Sequence, residues 1–179
     1  MRRYLSVYLA RELGVAANLQ FSLPAGLTWQ LMQKLIPDIP ALSPFSPEVM
    51  RWRLLDLFRS ERFQTTSEFE NVRSVLQSYL GSGESADYQL AGQLADIFDQ
   101  YLVYRPQWID AWQESKLLGL GEDEVWQAQL WRYLDDGNQS APHRVALWEK
   151  LLSSLDKAHL PERFFVFGIS TMAPMYLQL

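Results

Sequence analysis

Residues 87–106 read DYQLAGQLADIFDQYLVYRP, and their spacing decides the fold class. Leu90, Leu94, Ile97, Tyr101 and Tyr104 recur at helical intervals and mark one side of a helix. Gln89, Gln93, Asp96, Asp99 and Gln100 fall together in another sector of roughly 120°. The helix is expected to run from Asp87 to Tyr104 and to stop at Arg105, because Pro106 disfavours helical geometry in the residue before it. A polar sector of amides and acids, with no Lys or Arg of its own, has three readings. It is a solvated face, a face that hydrogen-bonds base edges, or a carboxylate pair lacking a third ligand.

Helical patterns continue on both sides. Tyr4–Leu13 is amphipathic and followed by Gly14, a C-cap signal. Pro24 and Gly26 read as a turn before a helix over Thr28–Ile36. Pro37, Pro40, Pro44 and Pro47 then define a stiff connection. Ser46-Pro47-Glu48 has the form of a helix start, and that helix extends to about Arg59 with Trp52, Leu55 and Phe58 on one side. Thr65 and Glu68 have capping-box spacing and predict a helix to about Leu80, broken by Gly81-Ser82-Gly83. Pro106–Leu117, Glu122–Leu134 and Pro142–Ala158 complete the helices, the last with Ser140 as a cap.

Strands are scarce. Asn18–Phe21 reads as an extended segment. Arg163–Ile169, with Phe164, Phe165, Val166 and Phe167, has the unbroken apolar pattern of a strand buried on both faces of a parallel sheet. Ser170 or Thr171 would cap a helix with Pro174 in its first turn. Such a strand needs neighbours, so its sheet is expected to be completed by sequence outside this chain. The fold class is mainly α with a few short strands: a helical insertion over residues 41–160, flanked by pieces of an α/β domain at 1–40 and 161–179.

Composition narrows the function. The 179 residues are 48% hydrophobic and 21% charged, an ordinary globular balance. No cysteine is present, which excludes a disulfide framework, a thiol nucleophile and a cysteine-held metal. No apolar run reaches the roughly 18 residues that cross a bilayer, and Met1-Arg2-Arg3 leads into no signal-peptide core. The expected setting is cytoplasmic, with no membrane partner. A net charge of −5 weighs against a domain that grips phosphates unaided.

Seven tryptophans are many for this length, and core packing is the default for each. Trp29 differs because it follows a Pro/Gly turn, where an exposed ring could stack on a base. His143 and His159 lack ligand spacing and read as surface or capping residues. No Gly-Lys-Ser/Thr occurs, so there is no P-loop. Glu122, Asp123 and Glu124 fit the first turn of a helix better than a magnesium site.

Leu94-Ala95-Asp96-Ile97-Phe98-Asp99-Gln100-Tyr101-Leu102-Val103-Tyr104-Arg105-Pro106 resembles a signature of the RecC family, the gamma subunit of exodeoxyribonuclease V. Gly14-Val15-Ala16-Ala17-Asn18 through Phe21, Leu23-Pro24-Ala25, Trp29 and Leu35-Ile36-Pro37 agree with it. So do Phe167-Gly168-Ile169-Ser170, Pro174, Tyr176, Leu177 and Gln178. The resemblance is collinear over essentially the whole chain.

The resemblance implies an N-terminal fragment of a longer subunit, related to a superfamily 1 helicase without its ATPase motifs. It implies partners, RecB-like and RecD-like subunits, which use ATP and magnesium; no cofactor is expected in this chain, which should itself be inactive. It also implies that single-stranded DNA is conducted through the subunit and scanned for the Chi sequence. The tunnel residues carried over are Leu23, Trp29, Asp96, Ile97, Asp99, Gln100, Arg105 and, on looser local similarity, Arg144. Ile97 stands where the family has leucine, and Arg3 where an amide is expected. The competing expectation is a helical scaffold for protein–protein contact without DNA.

Overall fold

Ser46 begins the helix that organises the molecule. Its hydroxyl accepts from the Val49 N–H at 3.5 Å, Pro47 supplies the first helical residue and Glu48 the acid of the first turn. The computed structural model describes residues 2–80, 84–155, 165–168 and 171–178. Among them the helices are α1 (Arg2–Leu13), α2 (Pro24–Leu35), α3 (Pro47–Arg59), α4 (Glu61–Thr65), α5 (Glu70–Leu76), α6 (Glu84–Tyr104), α7 (Pro106–Gln113), α8 (Asp123–Leu134) and α9 (Arg144–Ser153). Short 3₁₀ helices cover Ser67–Phe69 and Pro174–Gln178.

Among the described helices, the packing of α3 against α6 is the most extensive. Gly92 lies at this crossing, where a Cβ would come within 2.9 Å of the Arg51 Nε. The α3 residues Met50, Leu54, Leu55, Leu57 and Phe58 join Leu90, Leu94, Phe98 and Leu102 of α6 in a core completed by α4, α5, α7 and α8. Trp52, expected on the buried side, is 61% exposed. A second apolar cluster joins Leu31 and Met32 of α2, Leu147, Trp148 and Leu151 of α9, and Ala173 and Met175 near the end. Val103 of α6 packs on this second cluster while Val145 of α9 packs on the first, so α6 and α9 tie the two together.

Several boundaries differ from the sequence reading. Pro24 opens α2 instead of making a turn, as suits a residue favoured at the first helical position. The Thr65/Glu68 capping box does not form. Ser60 caps α4 instead, accepting from Phe63 N–H at 3.1 Å, while Thr65 ends that helix and Glu68 pairs with Arg62 at 2.8 Å. The carbonyls left at the break are collected by Arg73, which donates to Phe63 O and, at 2.8 Å, to Thr66 O. Residues 81–83, read as a break, lie outside the described residues.

The helix expected to reach Leu117 stops at Gln113, and His143, not Ser140, caps α9 by accepting from Ala146 N–H at 3.2 Å. His143 is fully buried between Phe45 and Trp131. His159 lies outside the described residues.

The expected short strands are absent among the described residues. Asn18 adopts a left-handed φ of 57°, which interrupts the extended run proposed for Asn18–Phe21. Phe165, Val166 and Phe167 are 88%, 69% and 55% exposed, without strand pairing. An all-apolar strand is stable only between neighbours that take its backbone hydrogen bonds and cover both faces, and the described residues offer none. The rest of that expected strand lies outside them.

Candidate nucleic-acid interface

Asp99 and Arg144 meet where α6 crosses α9. Arg144 Nη2 donates to Asp99 Oδ1 at 2.6 Å, with 15% and 29% of the two side chains exposed. Burial pushes the Asp99 pKa up, and the Arg144 charge and hydrogen bond oppose that rise without cancelling it. Tyr176, brought in by the C-terminal 3₁₀ helix, lies beside the same guanidinium; burial raises its pKa and the Arg144 charge opposes the rise. Among the described residues, Arg144 Nη1 is buried without a hydrogen bond of standard geometry.

The neighbouring α6 residues are open. Asp96 and Gln100 are exposed, and Ile97 is 37% exposed. Asp96 acts on the Arg51 guanidinium of α3, as does Glu48. The amide-and-acid sector lacks a cation in its own helix, yet the fold brings Arg51 to one side of it and Arg144 to the other. Arg144 was reachable only through the family resemblance. Arg51 was missed, because its hydrogen bond to Tyr88 spans 37 positions and leaves no local signal.

The remaining carried-over residues spread away from this cluster. Arg105 is exposed at the end of α6, its guanidinium 5.5 Å from the centre of the Trp108 ring. Leu23 precedes α2 and is 80% exposed. Trp29 is half-buried in the second cluster and donates its indole N–H to Pro40 O at 3.1 Å, so it is not the free ring its position suggested. Helix α2 packs on α9, which links these residues to Arg144 through the scaffold.

A second buried acid has another role. Glu124, 4% exposed, accepts from Trp112 Nε1 at 3.0 Å, Leu118 N–H at 2.6 Å and Leu120 N–H at 2.9 Å. It fastens the loop between α7 and α8 and explains why the preceding helix ends early. Among the described residues no group of three or more His, Cys, Asp or Glu is arranged to hold a metal ion. No helix among them is long and apolar enough to cross a membrane.

The family model of the RecC N-terminal domain matches residues 1–179. The chain belongs to the RecC family. It is 36% identical over 188 residues to the RecBCD enzyme subunit RecC of Escherichia coli (strain K12), covering 99% of this chain and 16% of that protein. The RecC of Haemophilus influenzae is 36% identical over 213 residues, covering 100% of this chain and 18% of the relative. The RecC of Mycobacterium tuberculosis (strain ATCC 25618 / H37Rv) is 30% identical over 194 residues, covering 100% of this chain and 17% of the relative. The chain therefore spans less than a fifth of the length of these RecC relatives.

Proposed function

We propose that this chain is the N-terminal part of the non-catalytic, DNA-handling subunit of an ATP-dependent helicase–nuclease that repairs double-strand breaks by homologous recombination. In this reading α6 is one wall of a tunnel that scans single-stranded DNA for Chi. Asp96, Ile97, Asp99 and Gln100 face the strand, Arg144 sits beside them on Asp99, and Leu23, Trp29 and Arg105 lie further along the wall. RecB-like and RecD-like subunits, which use ATP and magnesium, carry out ATP hydrolysis and cleavage in the bacterial cytoplasm.

The observation that carries this reading is the open stretch Asp96, Ile97 and Gln100 beside an Asp99 locked by Arg144. Gln can bond adenine at two positions and Asp can accept from the cytosine amino group, so such a row discriminates bases. A carboxylate held by a guanidinium keeps one orientation, as discrimination requires.

Residues 1–40 and 161–179 are assigned to the helicase-like α/β domain and residues 41–160 to its helical insertion. Leu31 and Met32 meet Ala173 and Met175 in one cluster, which α9 of the insertion also enters through Leu147, Trp148 and Leu151. Helix α1 buries no residue and exposes Tyr4, Val7, Tyr8 and Leu13, which favours a protein-contact role for that end of the chain. In a complete complex carrying this sequence, Asp96→Ala and Gln100→Ala should reduce switching at Chi while unwinding continues. Normal switching in both would refute the assignment.

A further inference from the structure

Trp52 is the exposed tryptophan of this chain; the other six are buried or half-buried. Its ring centre lies 5.6 Å from that of Tyr88, itself 37% exposed, at an interplanar angle of 58°. Arg51, next to Trp52 on α3, donates from Nη1 to the Tyr88 hydroxyl at 3.0 Å and sits 5.2 Å from the ring centre. Gly92, one turn beyond Tyr88, leaves the room that Arg51 occupies. Asp96 follows after another turn on the same stripe of α6, within electrostatic reach of that guanidinium.

The aromatic pair and the acid row thus form one continuous surface. Glu48, Asp96 and Asp99 give that surface a negative character, apart from the cations that brace it. Acids and amides hydrogen-bond base edges while Arg51 and Arg144 are engaged with Tyr88 and Asp99, so a strand lying along this face is read with its bases inward. A strand held by its bases needs a flat apolar partner, and stacking on an indole serves any base. Core packing does not account for Trp52, because most of its surface faces water.

We infer that Trp52, braced by Tyr88 and Arg51, is a base-stacking step for single-stranded DNA that holds the strand as it passes Asp96 and Gln100. This rests on the reading of α6 as a strand-facing wall.

The test uses the assembled complex, loaded with a forked duplex whose single strand carries 5-iodouracil. Irradiation should attach the strand at Trp52 or Tyr88. Trp52→Ala should reduce Chi-dependent switching about fivefold, the order expected for one lost stacking contact. Trp52→Phe should restore it and Trp52→Leu should not. If the strand attaches near Gln100 but never near Trp52, the stacking step is wrong and the wall stands. Attachment at neither position overturns both. Rescue by leucine makes this an apolar contact that does not depend on an aromatic face and overturns the inference.

Discussion

Arg144 Nη2 lies 2.6 Å from Asp99 Oδ1, joining the first residue of α9 to the last third of α6 where the two apolar clusters meet. The pair therefore has two tasks: it fixes the crossing of the two helices and orients one acid of the candidate strand face.

A double-mutant cycle with Asp99→Asn and Arg144→Met measures the first task. The side chains keep 29% and 15% exposure, so a coupling of about 1–2 kcal/mol is expected, between surface and fully buried pairs. Arg144→Met should be the costlier single change, because it leaves a carboxylate whose pKa burial already raises. Chemical denaturation of the four variants supplies the cycle. Because Asp99 is structural as well as exposed to the face, Asp96 and Gln100 are the cleaner probes of strand contact.

Acid should destabilise the chain through His143 before it acts on most carboxylates. Burial lowers the His143 pKa from 6.5 to about 4, with Asp135 opposing and Arg144 reinforcing the shift. The folded state keeps this imidazole neutral while the unfolded chain takes up a proton, so stability falls as pH drops from 6.5 towards 4. Melting temperature followed across that range should show the slope. His143→Asn keeps a capping side chain and should lower stability at neutral pH while flattening the slope.

Glu124 acts in the same direction at lower pH. Burial pushes its pKa up, but the N–H donors of Leu118, Trp112 and Leu120 outweigh burial and hold it below the usual carboxylate range. Its stabilisation is complete above the unfolded value of 4.5 and is lost as pH falls through the lower folded value. Glu124→Gln should cost about 1–3 kcal/mol, the range for an unmet buried hydrogen bond. Limited proteolysis should then cut the loop between Lys116 and Glu122 faster than in the parent.

Much of the helical layout was legible because it depends on local chemistry. Pro106 ended α6 at Tyr104, Ser46-Pro47-Glu48 opened α3, and Gly14 follows α1 with a φ of 78°. Some failures were choices between competing local signals: Ser60, followed by Glu61, has the form of a cap as Thr65 does, and the fold uses Ser60. Others depend on the fold: nothing near Gln113 indicates that Glu124 will accept from Trp112, Leu118 and Leu120. The apolar run at Phe165–Phe167 carries the period of a buried strand, but a strand is defined by partners that its own residues do not specify. Asp96, Asp99 and Gln100 could be placed on one face by counting, whereas Arg51 and Trp52 entered the site only with the α3–α6 crossing.

That crossing should tolerate one methyl group and no more. Gly92→Ala gains helix propensity of about 1 kcal/mol against displacement of the Arg51 side chain, so net stability should change by less than about 1 kcal/mol. Gly92→Ile adds bulk against α3 and should cost about 2 kcal/mol. Thermal melts of the two variants check the difference.

The central claim is that the exposed stretch of α6 touches the scanned strand. A photoreactive amino acid placed at Gln100 in the complete complex, with the exposed Glu70 of α5 as control position, tests it most directly. During unwinding, position 100 should capture the Chi-bearing single strand and position 70 should not. Equal DNA capture at both positions, or capture of protein alone at position 100, would contradict it.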